Sequence, residues 1–111
     1  MIQTDTTFVT PDELVRLRAE RPDVRLVDVR TTAEFRAQRI DGSENFPLDV
    51  VEQHASDLGS RGGPVVIVCR SGARAEVADE LLRAAGVPNV QVLDGGVLAW
   101  DDAGLPTVGD R

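Results

Sequence analysis

Apolar positions fall into two alternating textures along the chain. Short runs rich in β-branched residues occur at Val24–Val29, Val65–Val68 and Val90–Leu93. Between them the apolar positions recur every three or four residues, as in Leu14 and Leu17, then Leu48, Val51, Ala55 and Leu58, then Ala78, Leu81, Leu82 and Ala85. The first texture predicts buried strands and the second amphipathic helices, an alternation that implies βαβ units and a parallel sheet. A short strand at Phe8-Val9 and another at Asn45-Phe46-Pro47, the latter stopped by its proline, bring the expected number to five.

Helix boundaries are written into the polar residues. Thr10-Pro11-Asp12-Glu13 offers an N-cap threonine, a proline at the first helical position and a glutamate that completes a capping box. Thr31-Thr32-Ala33-Glu34 repeats that box ahead of a short helix carrying Phe35. Arg61-Gly62-Gly63-Pro64 and Asp94-Gly95-Gly96 read as turns. The best helix runs from Ala73 to Ala85, with Ala78, Leu81, Leu82 and Ala85 inward, Glu76, Asp79, Glu80 and Arg83 outward, and Gly86 as its stop. A final short helix carries Trp100.

The segment where these signals meet chemistry is Val65-Val66-Ile67-Val68-Cys69-Arg70-Ser71-Gly72-Ala73-Arg74. It places the sole cysteine at the carboxyl end of a buried strand and just ahead of a helix, the end at which open α/β sheets bind ligands. A tight loop there turns backbone N–H groups inward as an anion nest, and the helix adds its positive N-terminal end. Arg70 and Arg74 contribute cationic charge, and Gly72 admits unusual backbone conformations. All of these favour thiolate over thiol, so Cys69 is the candidate nucleophile, facing an anionic substrate. The competing assignment is a structural cysteine, since free cysteines are commonly buried. Arg70 has a surface alternative, pairing with Glu76 or Asp79. Arg74 lies in the first helical turn, where a cation opposes the helix dipole, so a ligand or a buried carboxylate is expected beside it.

Composition narrows the chemistry further. The chain has 111 residues, room for one domain, and 41% hydrophobic residues with ten glycines, ordinary for a globular protein. All twelve basic residues are arginine, which excludes a Schiff-base lysine or a Walker-type phosphate loop. One histidine and one cysteine supply neither a paired-histidine metal site nor a disulfide framework. Nineteen acidic residues give a net charge of −7, which disfavours nucleic acid and anionic membrane as partners. No secretory signal is visible in Met1 to Thr10, and a soluble cytoplasmic monomer is the expectation.

Cys69-Arg70-Ser71-Gly72-Ala73-Arg74 resembles the six-residue active-site loop of the rhodanese superfamily of sulfurtransferases. Three further segments resemble the family in order: Asp28-Val29-Arg30 followed by Glu34-Phe35, Arg39 to Pro47, and Leu93-Asp94-Gly95-Gly96 with Trp100 and Gly104-Leu105-Pro106. Gln38-Arg39 replaces a Gly-His pair, Glu44 a small residue, and Ala75 a hydroxyl-bearing one.

The resemblance implies a single rhodanese-like domain over residues 1–111, with a core from about 7 to 106. Its five-stranded, mainly parallel sheet would be flanked by helices on both faces. It also implies sulfur transfer by double displacement without cofactor or metal. A small donor such as thiosulfate would leave sulfur on Cys69 as a persulfide, held by Arg70, Ser71, Gly72, Ala73 and Arg74. Cyanide, a thiol or a protein would accept it. Asp28, Arg30 and Trp100 are possible supporting residues, although an ion pair tying loops together suits Asp28 and Arg30, and a core position suits Trp100 and Phe35. Glu34 is assigned to its capping box and His54 to solvent. The alternatives are a sulfur-carrier or regulatory module and a superfamily phosphatase or arsenate reductase. The latter uses five residues between its cysteine and arginine, whereas four separate Cys69 from Arg74.

Overall fold

A computed structural model describes residues 6–110. Five strands form one parallel sheet: β1 (Phe8–Val9), β2 (Arg25–Asp28), β3 (Ser43–Asn45), β4 (Val65–Val68) and β5 (Val90–Leu93), in the order β1-β5-β4-β2-β3. The helices are α1 (Pro11–Glu20), α2 (Thr32–Ala37), α3 (Ala55–Ser60), α4 (Ala73–Ala84) and α5 (Gly96–Asp102). Every pair is parallel, so the sheet is more uniform than the mainly parallel one expected. No helix among the described residues is long and apolar enough to cross a membrane.

β4 lies at the centre and is buried along its whole length, which is why its sequence is unbroken Val and Ile. Strand alternation sorts its side chains into two cores. Val65 and Ile67, continued by Cys69, join Val27, Val29, Val51, Leu58, Ala75, Ala78 and Leu82 on the α3–α4 side. Val66 and Val68 join Leu14, Leu26, Ile40, Leu93, Val97 and Trp100 on the α1–α5 side.

Both capping boxes form. Thr10 accepts from the Glu13 N–H at 3.2 Å while Glu13 accepts from the Thr10 N–H at 2.8 Å, and Thr31 and Glu34 do the same at 3.2 and 3.0 Å. Other expectations need correction. The short third strand is Ser43–Asn45 and ends before Phe46, because its pairing partner β2 ends at Asp28, opposite Asn45. The Leu48–Leu58 stripe is one buried face but not one helix: Leu48–Val50 is a turn, Val51–His54 a 3-10 segment, and only Ala55–Ser60 is α-helical.

On α4, Asp79 is fully buried, and Ala85, expected inward, caps the helix end and is exposed. Arg83, one turn on, donates to Asp79 Oδ2 at 2.7 Å and compensates that burial, while Asp79 Oδ1 and Arg83 Nε have no partner. Phe35 is half-buried with the Arg39 guanidinium 5.0 Å above its ring. His54 is half-buried too, stacked on Phe46 with ring centroids 3.7 Å apart.

Candidate active site

β4 carries Cys69 to the carboxyl edge of the sheet, where the chain must leave the strand and start α4 within four residues. Gly72 makes that turn possible. Its φ of +124° lies where side chains are strained, and no atom stands within 4 Å of where a Cβ would be, so the demand is on conformation and not on space. The turn brings the Gly72 N–H back onto Cys69 Sγ at 2.9 Å. Cys69 is only 1% exposed, yet its sulfur meets a backbone donor and not aliphatic groups alone. Among the described residues the N–H groups of Arg70, Ser71, Ala73 and Arg74 meet no acceptor in the chain, leaving four donors at the start of α4.

The carbonyl side of the loop is spent elsewhere. Val97 N–H donates to Cys69 O at 2.9 Å and Leu98 N–H to Arg70 O at 3.1 Å, so the first turn of α5 braces the loop. Gly96 allows this approach. A Cβ there would fall inside contact distance of the Cys69 and Arg70 carbonyl oxygens. With its acceptors tied to α5, the loop is left with those four donors unpaired among the described residues.

The two arginines differ. Arg74 forms a bidentate pair with Glu34, Nη1 to Oε1 at 2.7 Å and Nη2 to Oε2 at 3.0 Å, so a carboxylate offsets the charge that opposes the α4 dipole. That guanidinium is the main reason the Glu34 carboxyl falls from 4.5 to about 2, and the backbone and hydroxyl of Thr31 add to it. Arg70 is exposed and its guanidinium has no hydrogen-bonded or ionic partner among the described residues, so neither Glu76 nor Asp79 takes it. It lines a pocket of about 190 Å³ with Arg30, Glu34, Gln38, Val97 and Leu98.

Asp28 and Arg30 form a buried pair, with Arg30 Nη2 donating to Asp28 Oδ2 at 2.7 Å and the Arg30 N–H to Asp28 Oδ1 at 3.0 Å. Asn45 Nδ2 bridges the Asp28 and Arg30 carbonyls at 3.1 and 3.0 Å. The pair fixes the chain after β2, and Arg30 reaches the pocket wall. Trp100 stands apart, 3% exposed in the α1–α5 core with its indole N–H on Pro106 O at 2.8 Å. Arg39 pairs with Asp110 at 3.0 Å and lines neither pocket beside the loop.

Sequence reasoning missed the second role of Glu34 and the bracing by α5. The first had a signal in the awkward placement of Arg74. The second had only the Gly-Gly pair, which reads equally well as an ordinary turn.

Residues 10–103 match the Rhodanese-like domain family. A sulfurtransferase of Allochromatium vinosum is 36% identical over 90% of this chain and 92% of its own. An uncharacterized protein of Synechocystis is 40% identical over 96% of this chain, which spans 58% of that relative's length. A crystal structure of a rhodanese-like domain protein from Staphylococcus aureus is 31% identical, with a TM-score of 0.79 over 91% of this chain and 97% of that one.

Proposed function

We propose a sulfur-transfer function for this chain, which belongs to the rhodanese-like domain family. In this reading Cys69 thiolate attacks the outer sulfur of a sulfane donor such as thiosulfate. A new S–S bond forms on Cys69, the S–S bond of thiosulfate breaks, and sulfite leaves with the bonding electrons. The enzyme then holds an anionic persulfide. A nucleophilic acceptor, whether cyanide, a thiol or a protein thiol, takes the outer sulfur and returns Cys69 to thiolate.

The observation that carries this reading is the Gly72 N–H on Cys69 Sγ, within a loop whose remaining N–H donors are uncommitted. Fixed donors aimed at a developing anion stabilise it without reorganisation. Burial of Sγ is compatible with turnover, because a persulfide carries its transferable atom one S–S bond, about 2.05 Å, further out. The unpaired guanidinium of Arg70 beside a small pocket suits a compact anionic donor. The chain has no second cysteine to resolve the persulfide, so the acceptor comes from outside. A lone thiol used in this way suits a reducing compartment such as the cytoplasm.

Intact mass after incubation with thiosulfate tests the reading. The expected result is a gain of one sulfur atom, removed by cyanide with release of thiocyanate and absent from Cys69→Ser. Unchanged mass and no thiocyanate would overturn it.

A further inference from the structure

A second cavity, about 460 Å³, opens beside the loop on the face of the sheet that carries Cys69. Its lining is Val29, Thr31, Pro47, Leu48, Asp49 and Arg74. Val29 ties it to the nucleophile. Asp28 pairs with Val68 in the parallel register, and Val29 N–H donates to Val68 O at 2.9 Å, so Val29 and Cys69 are neighbours across adjacent strands, roughly 5 Å apart. Both belong to one buried cluster, and Leu48 packs against it.

The charge of this cavity is one-sided. Arg74 is neutralised by its bidentate pair with Glu34. Thr31 spends its hydroxyl on its capping box. Asp49 sits exposed on the turn closed by Val50 N–H to Pro47 O at 2.9 Å, and has no ionic or hydrogen-bonded partner among the described residues. What remains is an apolar wall of Val29, Pro47 and Leu48 with one unpaired negative charge at its edge. The pocket beside Arg70 has the opposite character, smaller and with an unpaired cation.

We propose that the larger cavity is the acceptor subsite and that it selects aminoalkyl thiols, the carbon chain lying on Val29, Pro47 and Leu48 and the ammonium facing Asp49. This rests on the sulfur-transfer reading above and adds the acceptor's chemical class. The acceptor thiolate attacks the outer sulfur of the Cys69 persulfide. The new R–S–S bond forms as the Cys69 S–S bond breaks, Cys69 leaves as thiolate with the bonding electrons, and the product persulfide keeps the transferred sulfur with the negative charge it already carried.

The test is single-turnover discharge of protein loaded with thiosulfate and freed of excess donor. Three thiols of similar length serve as probes: cysteamine (cationic), 2-mercaptoethanol (neutral) and thioglycolate (anionic). Each rate is compared between the wild type and Asp49→Asn, an exposed turn substitution, so that the intrinsic reactivity of each thiol cancels. The substitution should slow cysteamine about fivefold, leave mercaptoethanol within about twofold and speed thioglycolate about fivefold, the factor that a unit charge about 4 Å away exerts in watery surroundings. The spread should narrow as salt is raised. Equal change for all three thiols, or none for any, overturns the inference while the sulfur-transfer reading stands. A protein that takes up no sulfur from thiosulfate overturns both.

Discussion

The carboxylate of Glu34 answers two positive fields at once, the open amides at the head of α2 and the guanidinium of Arg74. Its depressed proton affinity makes this arrangement visible in stability. A group held near 2 in the folded chain and near 4.5 when free contributes stability above about pH 4.5 and loses it as pH falls toward 2. Both side chains are about a third exposed, so solvent screening reduces the worth of the pair to about 1 kcal/mol. Glu34→Gln should therefore cost about that much in urea denaturation at pH 7 and almost nothing at pH 2. An equal loss at both values would show that only packing had changed. The sequence made one half of this arrangement readable, because the spacing of Thr31 and Glu34 is local. The other half joins residues forty positions apart, and no periodicity reports such a pair.

The loop of β4–α4 takes its shape from a neighbouring helix as much as from its own residues. α5 supplies the two N–H groups that hold the Cys69 and Arg70 carbonyls, and Gly96 lets it come close enough to do so. Gly96→Ala should cost about 3 kcal/mol, from backbone strain at φ +59° and from the clash with those carbonyls. Its effect on sulfur uptake should exceed its effect on folding, since relief of the clash displaces the loop. Thermal unfolding alongside the rate of persulfide formation checks this, and a variant that loads sulfur at the normal rate would refute it. At this scale four of the five strands, both capping boxes and most inward positions were readable from pattern, while the third strand lies two residues earlier than expected and Ala85 faces outward. Two further features were hidden. A 3-10 segment keeps the apolar spacing of a helix closely enough to pass for one over a single turn. A charged residue on an inward face, as Asp79 is, looks outward until its partner is known.

In the whole molecule, the segment after α5 crosses back to fasten α2. Arg39 and Val108 exchange backbone hydrogen bonds at 2.8 and 2.9 Å, Asp110 N–H reaches Arg36 O at 2.7 Å, and its carboxylate pairs with Arg36 and Arg39. Removing residues 105 onward should lower the melting temperature by roughly 10 °C, for about 2 kcal/mol lost. Amide exchange should quicken in α2 while β4 stays protected, and uniform quickening would mean that the segment supports the whole core. The central place of β4 has a consequence of another kind. Because both faces of that strand are sealed by aliphatic side chains, a one-residue deletion among its valines would leave a strand nearly as content as before. The parity of every later position would change, and the thiol would emerge toward Trp100, on the wrong side of the molecule. Nothing in the hydrophobic code of β4 resists that slip. In the native frame the two amides of α5 hold the Cys69 and Arg70 carbonyls, a pairing that the slipped chain would have to remake.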